Sequence, residues 1–161
     1  MSTPAQFSPA AQAKFEQYLT RYPIKRAAIM PTLWLAQEEF GWLSPEVMAY
    51  VAGLLELPPA FVASVASFYT MYYKRPVGRH HVQVCTNLSC ALRGSDVIVD
   101  CLRERLGIGL GETTADGRFT LSEVECLGSC GTAPMMQVDE DFWENLTPES
   151  TLAVVDKLAR D

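Results

Sequence analysis

The amino-acid sequence predicts an α+β protein in which an N-terminal helical bundle, residues 1–76, precedes a small domain with the element order β-α-β-β-β-α, residues 77–161. Apolar residues recur at helical spacing through the first half. Runs rich in β-branched and aromatic residues, separated by turn signals, begin near His80. All five cysteines lie at or after Cys85, so the two halves differ in chemistry as well as in pattern.

Each helix predicted in the first half has a recognisable boundary. Ser8 and Ser44 are good N-caps, and each is followed by a proline that suits the first helical turn. Pro58 and the proline after it open the fourth helix, and Gly41 is expected to end the second. Four apolar stripes are expected to form the core: Phe15 and Leu19; Ile29, Leu33, Ala36 and Phe40; Val47, Val51 and Leu54; Phe61, Val65 and Phe68.

An aromatic and basic stretch, residues 68–75, closes the helical half and includes Phe68, Tyr69, Tyr72 and Tyr73. One interpretation is that this stretch packs the last helix against the next domain. The other is that it forms part of a subunit interface, where tyrosine and arginine are enriched. The sequence leaves both interpretations open.

The second half alternates strands and helices. His80–Cys85 is predicted as a strand with Val82 and Val84 on one face. Gly94–Leu106 is predicted as an amphipathic helix. Its apolar residues are Val97, Ile98, Cys101 and Leu102. Three strands are expected to follow: Phe119–Cys126, Met135–Val138 and, after the acidic turn 139–141, Phe142–Leu146. Thr147 is expected to cap a final helix whose buried face contains Leu152, Val155 and Leu158.

Charge and hydropathy exclude several classes of partner. The formal net charge is −6 and no run of lysine or arginine occurs, so neither nucleic acid nor an anionic membrane surface is an expected partner. The N-terminus shows no secretory signal, and the longest apolar stretches fall far short of the roughly 20 residues that span a bilayer. We therefore expect a cytoplasmic protein with no direct membrane insertion.

Four cysteines form two pairs in predicted loops. Cys85 and Cys90 are spaced C-x4-C where a strand leads into a helix, and Cys126 and Cys130 are spaced C-x3-C after the next strand. Because the ends of neighbouring strands lie at one edge of a sheet, the two pairs can meet there. Four thiolates are the ordinary ligand set of a [2Fe–2S] cluster, which takes two cysteines per iron.

Other uses of the same thiolates remain open from the spacing alone. A zinc-stabilised interaction module would also use four cysteines, although structural zinc sites usually contain tight C-x2-C pairs. A thioredoxin-like dithiol lacks the C-x-x-C motif that it needs. Cys101 lies eleven residues beyond Cys90, about 16 Å along a continuous helix, and is expected to be a buried small hydrophobe, not a ligand.

Small and apolar residues surround the second cysteine pair. Gly128 and Gly131 carry no side chain, so backbone N–H groups are expected to approach the sulfur atoms closely. The residues expected to exclude water are Leu127, Ala133, Pro134 and Met135. Such groups around a metal site help to set its reduction potential.

Four further motifs accompany the cysteine loops in the same order as in a known family. They are Ala27–Pro31, Gln37–Trp42, Val65–Tyr69 and Pro76–Gly78. Together with the two cysteine loops, they resemble the 24 kDa subunit family of NADH:quinone oxidoreductase, or respiratory complex I. The likeness covers roughly residues 20–150.

This resemblance implies a thioredoxin-like [2Fe–2S] ferredoxin domain behind a helical bundle. It implies one cluster bound by Cys85, Cys90, Cys126 and Cys130. It also implies an iron–sulfur subunit that binds no substrate itself and exchanges single electrons with FMN on the NADH-oxidising flavoprotein subunit. FMN and NADH would bind only to that partner, and the assembled complex would hold the chain at the inner membrane. NAD-linked hydrogenases and formate dehydrogenases use related subunits, so these assemblies stay open as alternatives.

Overall fold

The computed structural model describes residues 5–160, which divide into two compact units between Pro76 and Val77. The first unit is helical, and the second combines a sheet with helices. The predicted α+β class is therefore confirmed, and one short helix that the predicted element order lacks precedes the predicted first helix of the second unit. Residues 1–4 and 161 lie outside the described residues, and with them the terminus at which no secretory signal is expected.

Residues 5–76 form four α-helices at positions close to those predicted. Their bounds are α1 Pro9–Arg21, α2 Ile29–Phe40, α3 Pro45–Leu55 and α4 Pro59–Phe68. The side-chain oxygens of Ser8 and Ser44 accept hydrogen bonds from the first turns of α1 and α3. Gly41 ends α2 in the left-handed conformation, with φ +80°. Each of these three local predictions is confirmed.

The predicted core stripe of α4 is only partly confirmed. Phe61 and Val65 are partly buried and pack against the helical core, whereas the side chain of Phe68 is 79% exposed. The fully buried positions of this helix are Val62 and Ala66. The helix is apolar around most of its circumference, so spacing alone does not show which side faces the core. The neighbouring α3 shows the same ambiguity, since it buries Leu55 more completely than the predicted Leu54.

Helices α3 and α4 are the most apolar pair in the first unit. Across residues 5–160, no single helix has the length and apolar composition needed to span a bilayer. The two helices satisfy that criterion only when they are taken together, and they are bent by 119° where they meet.

The chain that follows α4 is fixed to α2 by a buried glutamine. The side-chain amide of Gln37 donates to the carbonyl of Met71 at 3.0 Å, and its oxygen accepts from the N–H of Tyr73 at 2.6 Å. The hydroxyl of Tyr72, which is 1% exposed, donates to the carbonyl of Met30 at 2.9 Å. Tyr72 is therefore a core residue, although it belongs to the aromatic stretch.

The second unit is built on a four-stranded mixed sheet with the order β2-β1-β3-β4. The element bounds are β1 His80–Cys85, α5 Leu88–Leu92, α6 Ser95–Leu106, β2 Phe119–Val124, β3 Met136–Val138, β4 Asp141–Trp143 and α7 Pro148–Leu158. Strands β1 and β2 are parallel, and β3 is antiparallel to both β1 and β4. Val82 and Val84 lie fully buried at the centre, as their pattern predicts.

The register of the parallel pair determines where the cysteine loops leave the sheet. His80 pairs with Phe119 at one end, and Cys85 pairs with Val124 at the other. The N–H of Thr86 donates to the carbonyl of Val124 at 3.1 Å, so the two chains stay together beyond the strands. Both cysteine loops therefore start from the same edge.

Several side chains of the second unit lie differently from their predicted places. Val97 is 53% exposed, because Ile98, Val99 and Leu102 form the buried face of α6. Gly94 adopts φ +88° and separates α5 from α6, whose bounds Ser95–Leu106 agree with the predicted helix to within one residue. On α7, the buried residues are Thr151, Val154 and Val155, and of the three predicted positions only Val155 is among them.

The strand predicted from Phe142 to Leu146 is also partly wrong. The observed strand ends at Trp143 and includes Asp141, a residue that the sequence predicts to lie in the preceding turn. Asn145 has a positive φ of 49°, and its N–H donates to the carbonyl of Thr132 at 2.7 Å. The chain after β4 therefore turns toward the loop that follows β2, a point that matters for the site.

Replacing Gly78 with alanine is expected to destabilise the second unit. A Cβ atom there would lie 2.9 Å from the backbone carbon and oxygen of Arg118 and from the carbonyl carbon of Phe119. The N–H of Gly78 also donates to the hydroxyl of Thr120 at 2.6 Å, so the segment cannot move away freely. Since backbone atoms cannot yield as a side chain does, we expect a loss of about 1–3 kcal/mol in the free energy of unfolding.

Gly53→Ala is the matched control for this prediction. Gly53 lies inside α3, and an added Cβ meets nothing within 4 Å, so alanine should be neutral or stabilising. Urea denaturation followed by circular dichroism measures both variants. Equal stability of Gly78→Ala and the unchanged protein would contradict the predicted clash.

Candidate metal centre

Three elements position the four cysteines of the predicted site. Cys85 is the last residue of β1, and Cys90 lies in α5, whose N-cap is Asn87. Cys126 and Cys130 belong to the loop after β2, and Cys130 opens a 3-10 turn that runs to Thr132. Helix α5 contacts this turn, so the two cysteine loops lie beside each other.

The four thiols influence one another's acidity. The pKa of the Cys85 thiol depends in part on Cys90 and Cys126, and the pKa of Cys90 depends in part on Cys85 and Cys130. In the part of the chain that the structure describes, no three His, Cys, Asp or Glu side chains surround a single ion position. A structural zinc ion needs four ligands around one point, whereas a [2Fe–2S] cluster needs two thiolates at each of two irons. Four thiols, two from each loop, match the donor set of a [2Fe–2S] cluster.

The two buried cysteines differ in acidity. Burial raises the pKa of the Cys85 thiol, but hydrogen bonds from the backbone N–H groups of Asn87 and Leu127 and from the neighbouring thiols outweigh it, and the net pKa is lowered. Burial also raises the pKa of Cys90, and its hydrogen bond with Cys85 raises it further.

The site has a buried side and an exposed side. Cys85 and Cys90 are 4% and 2% exposed, and they pack with Ala133, Met135 and the partly buried Leu127 in a small apolar cluster. Pro134 is buried beside them, so all four residues predicted to exclude water lie in this region. Cys126 and Cys130 are exposed to solvent. A group bound here would be shielded on one side and accessible from the other.

Gly128 matters for its backbone conformation and not for the space around it. Its φ is +80°, and its N–H donates to the Sγ atom of Cys126 at 3.3 Å. A Cβ atom at Gly128 or Gly131 would meet nothing within 4 Å, so the space around both glycines is open. The predicted approach of an N–H group to sulfur is nevertheless confirmed at Gly128.

A polar contact near the last cysteine was missed by sequence reasoning. The hydroxyls of Ser129 and Thr132 both donate to Oε1 of Glu144, the residue that follows β4. The hydrogen bonds from Ser129 and Thr132 hold the pKa of Glu144 below its ordinary value. A glutamate after a short strand has no local signal that distinguishes it from any other surface acid.

Cys101 and the two histidines lie away from this edge. Cys101 is half-buried on α6, and its Sγ atom lies 3.9 Å from the carbonyl of Pro148. Burial raises the pKa of its thiol, with further contributions from Glu104 and Glu149. His80 and His81 stand at the start of β1, the end opposite Cys85.

Thioredoxin-like [2Fe–2S] ferredoxins are the class that this sheet and its cysteine-bearing edge define. The family model of the thioredoxin-like [2Fe–2S] ferredoxin matches residues 15–159, and the chain belongs to this family. The predicted fold and the predicted [2Fe–2S] cofactor are confirmed by this membership.

More particularly, the relatives of this chain include components of NADH-quinone oxidoreductases. The chain is 48% identical over 149 residues to the E-type component of this complex from Rickettsia bellii, a match that covers 91% of this chain and 89% of the relative. It is 44% identical over 162 residues to the corresponding component from Mycobacterium tuberculosis strain H37Rv, a match that covers 98% of this chain and 64% of that relative. The resemblance found in the sequence motifs is thus confirmed over most of the chain.

A solved structure shows the same fold in another assembly. An NAD+-reducing [NiFe]-hydrogenase in its air-oxidized state superposes with a TM-score of 0.72 at 22% sequence identity. The match covers 82% of this chain and 23% of the hydrogenase chain. At this level of identity the likeness supports the fold.

Proposed function

We propose that this chain is the electron-transfer subunit of an NADH:quinone oxidoreductase. In this proposal, one [2Fe–2S] cluster is bound by Cys85, Cys90, Cys126 and Cys130 and exchanges single electrons with FMN on the neighbouring NADH-oxidising flavoprotein subunit. The observation that supports it is that both cysteine loops follow the paired ends of β1 and β2, in a member of the [2Fe–2S] family. The relatives from NADH-quinone oxidoreductases support the choice of parent complex.

The residues around the site have distinct tasks. Met135 and Ala133 exclude water from Cys85 and Cys90, and the N–H of Gly128 provides a donor to the sulfur of Cys126. When bound, an all-cysteine [2Fe–2S] cluster supplies one-electron chemistry, typically near −400 mV. The exposed Cys126 and Cys130 place one side of the site at the surface, where a partner can approach.

The two domains divide the work between cluster binding and docking. The domain of residues 77–161 carries the ligands, and the helical domain of residues 1–76 carries a docking surface for the flavoprotein. FMN and NADH bind only to that partner, since the sequence contains no glycine-rich phosphate loop between a strand and a helix. The assembled complex holds the chain peripherally at the inner membrane, on its cytoplasmic side.

An exposed apolar group at the end of α4 supports the docking role. Phe68, Tyr69 and Met71 are 79%, 38% and 41% exposed. The ring of Tyr69 packs edge-on against Phe68 at 5.0 Å and against the buried Tyr72 at 6.2 Å. Because Gln37 holds the backbone of this segment at Met71 and Tyr73, docking here loses less backbone conformational entropy.

Phe68→Ala is expected to weaken binding of the flavoprotein subunit by about tenfold to a hundredfold. A large aromatic side chain at the centre of an interface commonly contributes that much, and this one makes little contact within its own unit. Titration of the labelled protein with the purified flavoprotein measures the effect. Ile24→Ala is the control, since Ile24 is also apolar, belongs to the same unit and is 60% exposed. Equal affinity of both variants would reject this surface.

The proposed function is tested first by analysis of the anaerobically purified protein. A [2Fe–2S] subunit should be coloured and contain two irons and two sulfides, whereas a zinc-stabilised interaction module would be colourless and contain zinc. Copurification then identifies the parent complex. Recovery with quinone-reducing subunits supports complex I, while recovery with a hydrogenase or formate dehydrogenase would replace it with that assembly.

A further inference from the structure

The loop that contains Cys126 and Cys130 is held differently from the segments that contain Cys85 and Cys90. Cys126, Gly128, Cys130 and Gly131 are all exposed, so no apolar packing holds these four residues. The other two cysteines, by contrast, are buried within a strand and a helix. Leu127 packs against the apolar cluster of Cys85 and Cys90 at the start of this loop, whereas the end of the loop around Cys130 makes polar contacts.

Two of these polar contacts meet at a single carboxylate. The Thr132 hydroxyl donates to Oε1 of Glu144 at 2.7 Å, and the Ser129 hydroxyl donates to the same oxygen. The two hydroxyls lie 2.8 Å apart, which completes a three-membered polar cluster. We refer to Ser129, Thr132 and Glu144 as the carboxylate bracket.

We propose that Glu144 is a positioning residue for the cluster: its carboxylate holds the Cys126–Cys130 loop in its binding conformation and lowers the reduction potential of the cluster bound there. This inference rests on the proposed function, since it takes Cys126 and Cys130 as ligands. It goes further because Glu144 itself touches neither the thiols nor a substrate.

The backbone supports the positioning role. The N–H of Asn145 donates to the carbonyl of Thr132 at 2.7 Å, and the N–H of Leu146 donates to that of Pro134 at 2.9 Å. The segment after β4 therefore runs alongside the end of the loop, and Glu144 stands at its start. The side-chain bonds of the bracket extend this contact to Ser129, the immediate neighbour of Cys130.

The charge of Glu144 supports the effect on potential. The Glu144 carboxylate is hydrogen-bonded to Ser129, the residue next to Cys130. It is therefore closer to Cys130 than the electrostatic screening length, which is about 10 Å at 0.1 M salt. Adding an electron to a cluster beside a negative charge is less favourable, so the carboxylate lowers the potential.

Two substitutions separate the two effects. Glu144→Gln keeps an oxygen that can accept both hydrogen bonds but removes the charge, whereas Glu144→Ala removes both. The matched control is Glu140→Gln with Glu140→Ala. Glu140 is an exposed carboxylate in the β3–β4 turn, near the start of β1, because the N–H of the adjacent Asp139 donates to the carbonyl of His81.

The first readout uses metal-free protein and hydrogen exchange. The N–H of Thr132 donates to the carbonyl of Ser129 within the loop, and the N–H of Asn145 donates to the carbonyl of Thr132 from outside it. The hydrogen-exchange rates of these two N–H groups therefore report on the rigidity of the loop. We expect Glu144→Ala to speed their exchange by about fivefold to thirtyfold, the effect of losing two hydrogen bonds. Glu144→Gln should speed it less. Exchange equal to that of the Glu140 variants would overturn the bracket.

The second readout uses the protein with its cluster. Both Glu144 variants should raise the midpoint potential at low salt, and the shift should shrink at 1 M salt because screening weakens the charge effect. Glu144→Ala alone should also release iron to a chelator faster. An unchanged potential in Glu144→Gln would overturn the charge effect even if the loop proved rigid.

These outcomes are distinguishable from a failure of the proposed function. A wild-type protein that binds no iron would reject the function, while the exchange measurement on metal-free protein still decides whether Glu144 holds the loop. A wild-type protein with a normal cluster and unaffected variants would reject the role of Glu144 alone.

Discussion

Cys90→Ala is expected to purify with at least about a tenfold loss of the cluster's visible absorbance and iron content. Three thiolates cannot complete both irons, and loss of a ligand should cost more than the tenfold to hundredfold typical of changes outside the ligand set. Cys90 is 2% exposed and packs beside Met135, so solvent cannot readily replace its sulfur. Absorbance at anaerobic purification, with iron and sulfide assays, measures the loss.

Cys101→Ala provides the internal control. Cys101 also belongs to the second unit and is half-buried on α6, but its sulfur lies next to Pro148 and not among the four thiols. This variant should keep its cluster and its spectrum. If Cys101→Ala lost the cluster while Cys90→Ala retained it, the ligand assignment would have to be abandoned.

Gly128→Val is the second change with a large expected effect. Gly128 has a φ of +80°, a conformation that costs a residue with a Cβ about 1–2 kcal/mol and a β-branched residue still more. Valine should therefore shift the loop and weaken the hydrogen bond from this N–H to the Cys126 sulfur. We expect release of iron to a chelator to accelerate by about fivefold to thirtyfold, together with a changed midpoint potential.

Gly131→Val tests whether conformation is the cause. Gly131 lies one residue after the last cysteine, has equally open surroundings and does not adopt the left-handed conformation. It should therefore tolerate valine much better than Gly128. Similar rates of iron release for the two variants, or an unchanged electron paramagnetic resonance spectrum in Gly128→Val, would argue against this explanation.

Features with a local cause were predictable from the sequence. The caps at Ser8 and Ser44 and the helix end at Gly41 depend on residues within one turn, and all three were found. Strand β1 was predicted with its observed bounds, His80–Cys85, because valines alternate with polar residues there. The cysteine spacing likewise indicated two loops that meet at one sheet edge.

Features that depend on packing between distant elements were not predictable in the same way. Helix α4 is apolar on several sides, so only its neighbours determine that Val62 is buried and Phe68 exposed. The contact between Thr132 and Glu144 joins residues twelve positions apart and depends on where β4 ends. Composition and periodicity do not indicate where β4 ends. The sequence therefore did not predict the carboxylate bracket.

The two cysteine loops are separated in the sequence by 35 residues, 91–125, and the parallel pairing of β1 with β2 brings them to the same sheet edge. A cluster held by both loops is therefore a covalent cross-link over a long stretch of chain, which includes all of α6 and β2. Closing a loop of this length removes unfolded-state entropy equivalent to about 4 kcal/mol by the relation used for disulfides. Insertion of the cluster would therefore also stabilise the fold by cross-linking it. Protein that has received its iron should resist proteolysis within α6. Newly made protein that lacks iron should be the form that cellular proteases remove.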